Sequence, residues 1–174
     1  MKFLRWAAGI GAAFLFLGVC FWSMTNFLFP LVSFDSLRTV TVDIERVDVK
    51  PPMRGGRFVQ ITPKRSGTHL FIREAANFLD RGLDRFSTLR SGDSVVAWLA
   101  PDGSMPGDRN NVWQLRRGTE YLVEYSEMVD ATKRARGWAN LFSGLLATVG
   151  ISLGVIGTLG LNWSRFTRPH SSAV

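Results

Sequence analysis

Around His69, aromatic, polar and basic residues alternate with aliphatic ones. Phe58, Gln60, His69, Phe71 and Arg73 share one phase, and Val59, Ile61, Leu70 and Ile72 share the other. On two neighbouring strands the aliphatic set would face a core and the first set would face away from it. Rings give flat stacking area while Arg and His give donors, so Phe58, Gln60, His69, Phe71 and Arg73 form a candidate ligand or partner face. Lys50, Arg54, Arg57, Lys64, Arg65 and Arg73 make a basic stretch with no acid between Asp48 and Glu74. The plainer alternative puts Phe58 and Phe71 under a helix, the membrane face or a partner, with the charges as a solvated rim.

Reactive constellations are scarce elsewhere. The other histidine, His170, sits near the C-terminus, so a histidine-rich metal cluster is excluded. Asp43, Glu45 and Asp48 are close in sequence, but alternation divides them between strand faces, as expected of a solvated edge. Ser66 and Ser91 fall in turns, and neither belongs to a Gly-x-Ser-x-Gly elbow. Cys20 is the single cysteine, which excludes an internal disulfide and a thiolate zinc site. The expectation is a protein that is not an enzyme, with no catalytic residue, no cofactor and no metal.

The elements that would carry the candidate face lie between two charge-free apolar stretches, Trp6 to Phe34 and Gly137 to Trp163. Each exceeds the roughly 20 residues a helix needs to cross a ~30 Å hydrocarbon core. The layout expected is therefore residues 1–5 in the cytoplasm, a first transmembrane helix over 6–29, a β-rich domain over 30–136, a second transmembrane helix over 137–163, and a cytoplasmic tail over 164–174. Apolarity persists past the length of a cleaved signal, and Val19 occupies the position before Cys20 where a lipoprotein box needs a small residue, so an uncleaved anchor is favoured. Lys2, Arg5, Arg165 and Arg168 favour cytoplasmic termini, whereas Lys133, Arg134 and Arg136 adjoin the second span from the other side. The amino-terminal charges dominate because long loops largely escape the positive-inside count, which places the middle domain outside the cytoplasm.

In the second span Ala147, Gly150, Gly154 and Gly157 share one helical face, with Gly150 and Gly154 forming a GxxxG match. Ala8, Gly11 and Gly18 offer a counterpart in the first. Such faces serve either packing of the two spans on each other, or assembly into a homo-oligomer or with another membrane protein.

Between the spans, period-two alternation marks strands. Val40, Val42 and Ile44 share a phase that slips at Glu45-Arg46 before Val47 and Val49 resume it, the pattern of a long bulged strand halted by Pro51-Pro52. Strands are expected over 57–62, 68–73, 94–99, 112–115 and 121–125, with a one-faced helix over 74–89 interrupted by Gly82 and a helical lead over 126–136. Trp98, Trp113 and Tyr121 are expected mainly in the core, with Trp113 beside Gln114 as an alternative interface anchor. The fold class expected is membrane α+β: two transmembrane helices flanking a small antiparallel β-domain, an OB-like barrel or an open sheet, with one covering helix.

The layout as a whole, with Leu89-Arg90-Ser91-Gly92-Asp93-Ser94-Val95 ahead of a strand, Val112-Trp113-Gln114-Leu115 and a Gly-rich second span, resembles small two-pass bacterial envelope membrane proteins of unknown function. The resemblance implies a membrane protein with an extracytoplasmic β-rich domain and carries over no catalytic residue.

The net charge of +7, from 21 Lys+Arg against 14 Asp+Glu, has four of its positives in the terminal segments and does not argue for nucleic acid. The expected function is a non-enzymatic inner-membrane protein whose β-domain contacts another envelope component, as an accessory subunit of a membrane complex. Its expected partners are the lipid bilayer and a membrane or envelope protein, with no nucleic acid. The alternatives are an extracytoplasmic module for an anionic glycan or lipid headgroup and, with inverted topology, a cytoplasmic OB-like binder of single-stranded nucleic acid.

Overall fold

The computed structural model describes residues 2–53, 56–65, 69–73, 79–101 and 110–166. The chain divides into two compact units, residues 27–136 and the pair formed by 1–26 with 137–174.

In the helical unit, α1 spans Lys2–Leu28 and α2 spans Tyr125–Phe166, its first turns belonging to the β unit. Both are long and apolar enough to cross a membrane, and only 17% of each apolar window is buried. Large side chains such as Trp6, Phe16, Leu145 and Trp163 are exposed. The two helices meet instead through their smallest residues. A Cβ placed on Gly18 would lie 3.0 Å from Ala147 N, and one on Gly157 would lie 2.7 Å from Ala8 N. Phe21 packs edge-on against Phe142 at 5.5 Å.

In the β unit, six antiparallel strands run β1 Arg38–Met53, β2 Gly56–Pro63, β3 Leu70–Arg73, β4 Ser94–Leu99, β5 Val112–Arg117 and β6 Glu120–Val123, in the order β3-β2-β1-β4-β5-β6. β1 serves two neighbours in turn. Residues 38–43 pair with β4, and from Ile44 onward the pairing is with β2, with a register shift between Ile44 and Arg46. That shift falls where the alternation slips; Ile44 is fully buried beside it, Val40, Val42 and Val47 pack partly buried against the core, and Val49 is exposed. Ile44, Val59, Ile61, Leu70, Ile72, Val95 and Leu115 are fully or almost fully buried in one core. An isolated parallel bridge joins Phe71 to Asn111, where Phe71 N–H donates to Asn110 O at 3.0 Å.

Three expectations are corrected. β1 does not stop at Pro51-Pro52 but reaches Met53, which pairs with Gly56 after a second irregularity; a proline is tolerated where the ladder needs no N–H. Over 74–89, residues 74–78 lie outside the described residues, and the segment from Leu79 to Leu89 forms a turn and a 3₁₀-helix, Asp84–Thr88, in place of an α-helix. Gly82 takes φ +64° there, and Leu83, Phe86 and Leu89 recur every third residue, the 3₁₀ repeat, so all three are buried. Finally, Trp113 is buried at 1% exposure, but Tyr121 is 39% exposed and Trp98 is half-buried, because their phase faces away from Val95, Ala97 and Leu99.

Candidate functional site

The pairing of β2 with β3 sets Val59 opposite Ile72 and Ile61 opposite Leu70, both pairs in the core. The intervening rows set Phe58 opposite Arg73 and Gln60 opposite Phe71, on the other side of the sheet. Phe58, Gln60, His69 and Phe71 are half-buried and Arg73 is exposed. Three rings form a run across the two strands: Phe58 and Phe71 lie 6.2 Å apart and tilted, and His69 meets Phe71 at 6.4 Å, near edge-on. Thr62 Oγ1 and His69 Nδ1 share a hydrogen bond of 3.2 Å that holds the imidazole in place.

The same side of β1 contributes Arg46, paired with Thr62, and Asp48, paired with Gln60. Arg46 and Asp48 form an exposed ion pair at 2.8 Å, so the face keeps one neutralised acid beside exposed Lys64, Arg65 and Arg73. Arg54 and the side chains of Lys50 and Arg57 lie outside the described residues. The arrangement supplies stacking area with exposed cations on β3 and in the turn that follows β2. Among the described residues no group of three or more His, Cys, Asp and Glu could hold a metal ion. Asp43 and Glu45 are exposed on β1, and Ser91 sits exposed in a turn; Ser66 lies outside the described residues.

The small-residue stripe of α2 faces α1. A Cβ on Gly150 would meet Leu15 N at 2.5 Å and Gly11 O at 2.8 Å, whereas one on Gly154 would meet nothing within 4 Å. Ala147 is half-buried beside Gly18.

Two further clusters lie outside the candidate residues named from the sequence. On the outer side of β4, β5 and β6, the Arg116 guanidinium stacks at 5.7 Å from the Trp98 ring and 5.9 Å from the Tyr121 ring. Arg85 Nη1 donates to both oxygens of Glu127, at 2.9 and 2.8 Å, and this pair is nearly buried, with side chains 11% and 9% exposed. Alternation in the 94–99 and 112–117 strands could have placed Trp98 and Arg116 on one side. Nothing local links residues 85 and 127. Nearby, Arg117 donates to Glu120 at 3.1 Å, which together with Asp93 raises its pKa above the ordinary guanidinium value against the cost of desolvation.

No protein-family model, curated protein or solved structure matches the chain.

Proposed function

We propose that the chain is a non-enzymatic integral protein of the bacterial inner membrane, an accessory subunit whose β-domain binds another envelope protein outside the cytoplasm. Both helices cross the bilayer in this reading, and both termini are cytoplasmic. Support comes from the outward display of large apolar side chains on α1 and α2, which a lipid solvent makes favourable. The β-domain is read as an OB-type barrel. The shared strand β1, the register shift at Ile44 and the parallel bridge from Phe71 to Asn111 are the features that favour closure over an open sheet.

The observation that carries the interaction role is the run of Phe58, Phe71 and His69 rings on the side of the sheet opposite the core. Rings there contribute nothing to the core cluster, and a partner that covered them would gain their apolar area. A photocrosslinking residue placed at Gln60 or Arg73 in cells should capture one membrane or envelope protein in near-stoichiometric yield, and one at Thr39 should not. Labelling confined to lipid or glycan would overturn the protein-partner reading. The exposed cations Lys64, Arg65 and Arg73 favour an anionic glycan or lipid headgroup as the second reading. The Ala147, Gly150 and Gly157 face is occupied by α1, so homo-oligomerisation or docking within the membrane would use the outer helix surfaces.

A further inference from the structure

Away from the 58–73 face the β unit has an open groove of about 410 Å³ lined by Phe34, Gln114, Tyr121, Glu124, Tyr125 and Ser126. Small-ligand sites commonly occupy roughly 300–1,000 Å³. Three of the six lining residues are aromatic and held in place. Phe34 meets Tyr125 edge-on at 5.2 Å, Tyr121 is backed by the Arg116 guanidinium at 5.9 Å, and Tyr125 donates its hydroxyl to Val32 O at 2.6 Å. Phe34 and Tyr121 are 44% and 39% exposed, so their rings present area to a visitor.

Gln114 is the informative residue. It is only 8% exposed, yet half of its amide is idle. The Tyr125 backbone N–H donates to Gln114 Oε1 at 3.3 Å, which fixes which end of the amide is oxygen. Its Nε2 has no protein partner among the described residues and is not among the sealed-off polar atoms, so it stays within reach of solvent on a residue that lines the groove. An acceptor delivered by a ligand there would take the place of water on a residue that is otherwise buried. Glu124 supplies the complementary acceptor. Its carboxylate receives Arg81 Nη2 at 3.3 Å and Ser126 Oγ at 3.5 Å while its side chain stays 46% exposed.

Flat rings, one donor and one acceptor together select the occupant. An anion would face the Glu124 carboxylate, and a cation would find that carboxylate already paired with Arg81 and the Tyr121 ring already backed by the Arg116 guanidinium. A neutral ring whose hydroxyls both give and accept hydrogen bonds, and whose C–H face is apolar, suits every wall. We propose that this groove binds a neutral pyranose, its C–H face on Phe34 and Tyr121, one hydroxyl donating to Glu124 and another oxygen accepting from Gln114 Nε2. The sugar can arrive as a free saccharide or as the head of a glycolipid, and the chemistry recognised is the same.

The test uses the full chain in nanodiscs, away from sugar-headed detergents, with saturation-transfer NMR on methyl β-glucoside and cellobiose. Glucuronate and choline serve as the charged comparisons. The neutral sugars should bind saturably, the charged probes at least about tenfold more weakly. Phe34→Ala should weaken binding about tenfold through the lost ring. Gln114→Glu keeps the acceptor for Tyr125 N–H but removes the donor and should weaken it similarly, while Phe71→Ala leaves it unchanged. Because Phe34 is exposed, its variant keeps the test valid even if the Gln114 variant fails to fold. Nanodiscs holding a monoglucosyl lipid should compete with cellobiose if the lipid head is the source, and lack of competition assigns the site to free saccharide. Absence of saturable neutral-sugar binding up to about 50 mM, equal binding of a charged probe, or unchanged affinity in Phe34→Ala would overturn the proposal.

Discussion

Gly11 and Gly150 bring the two long helices to backbone contact: a Cβ on Gly11 would lie 2.7 Å from Gly150 O and 2.6 Å from Gly154 N. Any side chain larger than hydrogen at Gly11 therefore strikes main chain, which cannot rotate away. In the lipid solvent proposed for this pair, where apolar burial gives little drive for association, such closeness is the main source of attraction through dispersion.

The two glycines of the GxxxG match should consequently behave differently. Gly150→Ala meets Leu15 N at 2.5 Å and should destabilise the pair by about 1–3 kcal/mol. Gly154→Ala meets nothing within 4 Å and should be tolerated, as should Gly144→Leu on the outer surface. Unfolding in mild detergent, followed by disulfide crosslinking of cysteines introduced on facing helix positions, separates these outcomes. Equal sensitivity of Gly150 and Gly154 would contradict the packing.

The Arg85–Glu127 pair should be the most costly polar contact of the β unit to break. Glu127→Ala strands a guanidinium whose Nε and Nη2 are already sealed without a partner, and should cost about 3–5 kcal/mol. Asp48→Asn, which removes an ion pair whose arginine is 68% exposed, should cost less than about 1 kcal/mol. Thermal melts of the full chain, read by near-ultraviolet circular dichroism, rank the two.

Face and core residues of β2 and β3 should part company just as clearly. Ile61→Ala should destabilise by about 2–5 kcal/mol, since Ile61 is completely buried. Phe71→Ala should leave the fold close to its starting stability and abolish crosslinking from Gln60. Loss of stability comparable to Ile61→Ala would show that Phe71 is a core residue.

The β5–β6 turn offers a backbone test. Gly118 sits at φ +56° with open space around it, so Gly118→Ala should cost about 1 kcal/mol from conformation alone, and Gly118→Asn less. Equal melting of the Ala variant and the parent would place the glycine there for another reason.

Much of this architecture is legible in residue patterning because the governing forces are local. The slip at Glu45-Arg46 marks the bulge of β1, and Ser91-Gly92-Asp93 followed by alternation marks β4. The outward phase of Phe58, Gln60, Phe71 and Arg73 follows from period two once the register is known. The features that resisted reading are long-range. Arg85 and Glu127 are paired by tertiary packing, and Gln114 Oε1 gains its partner only where the start of α2 reaches it. Tyr121 looks like core by type, yet one step of phase turns it outward onto Arg116. Leu83, Phe86 and Leu89 are apolar at a spacing shared by α- and 3₁₀-helices, and the left-handed Gly82 decides between them.

The bilayer-spanning account meets its most direct test in a reporter inserted after Ser104, between the two long helices. Alkaline phosphatase at that point should be active and a green fluorescent protein dark, as an extracytoplasmic β-domain requires. An inactive phosphatase with a bright fluorescent fusion would place the domain in the cytoplasm and contradict the account.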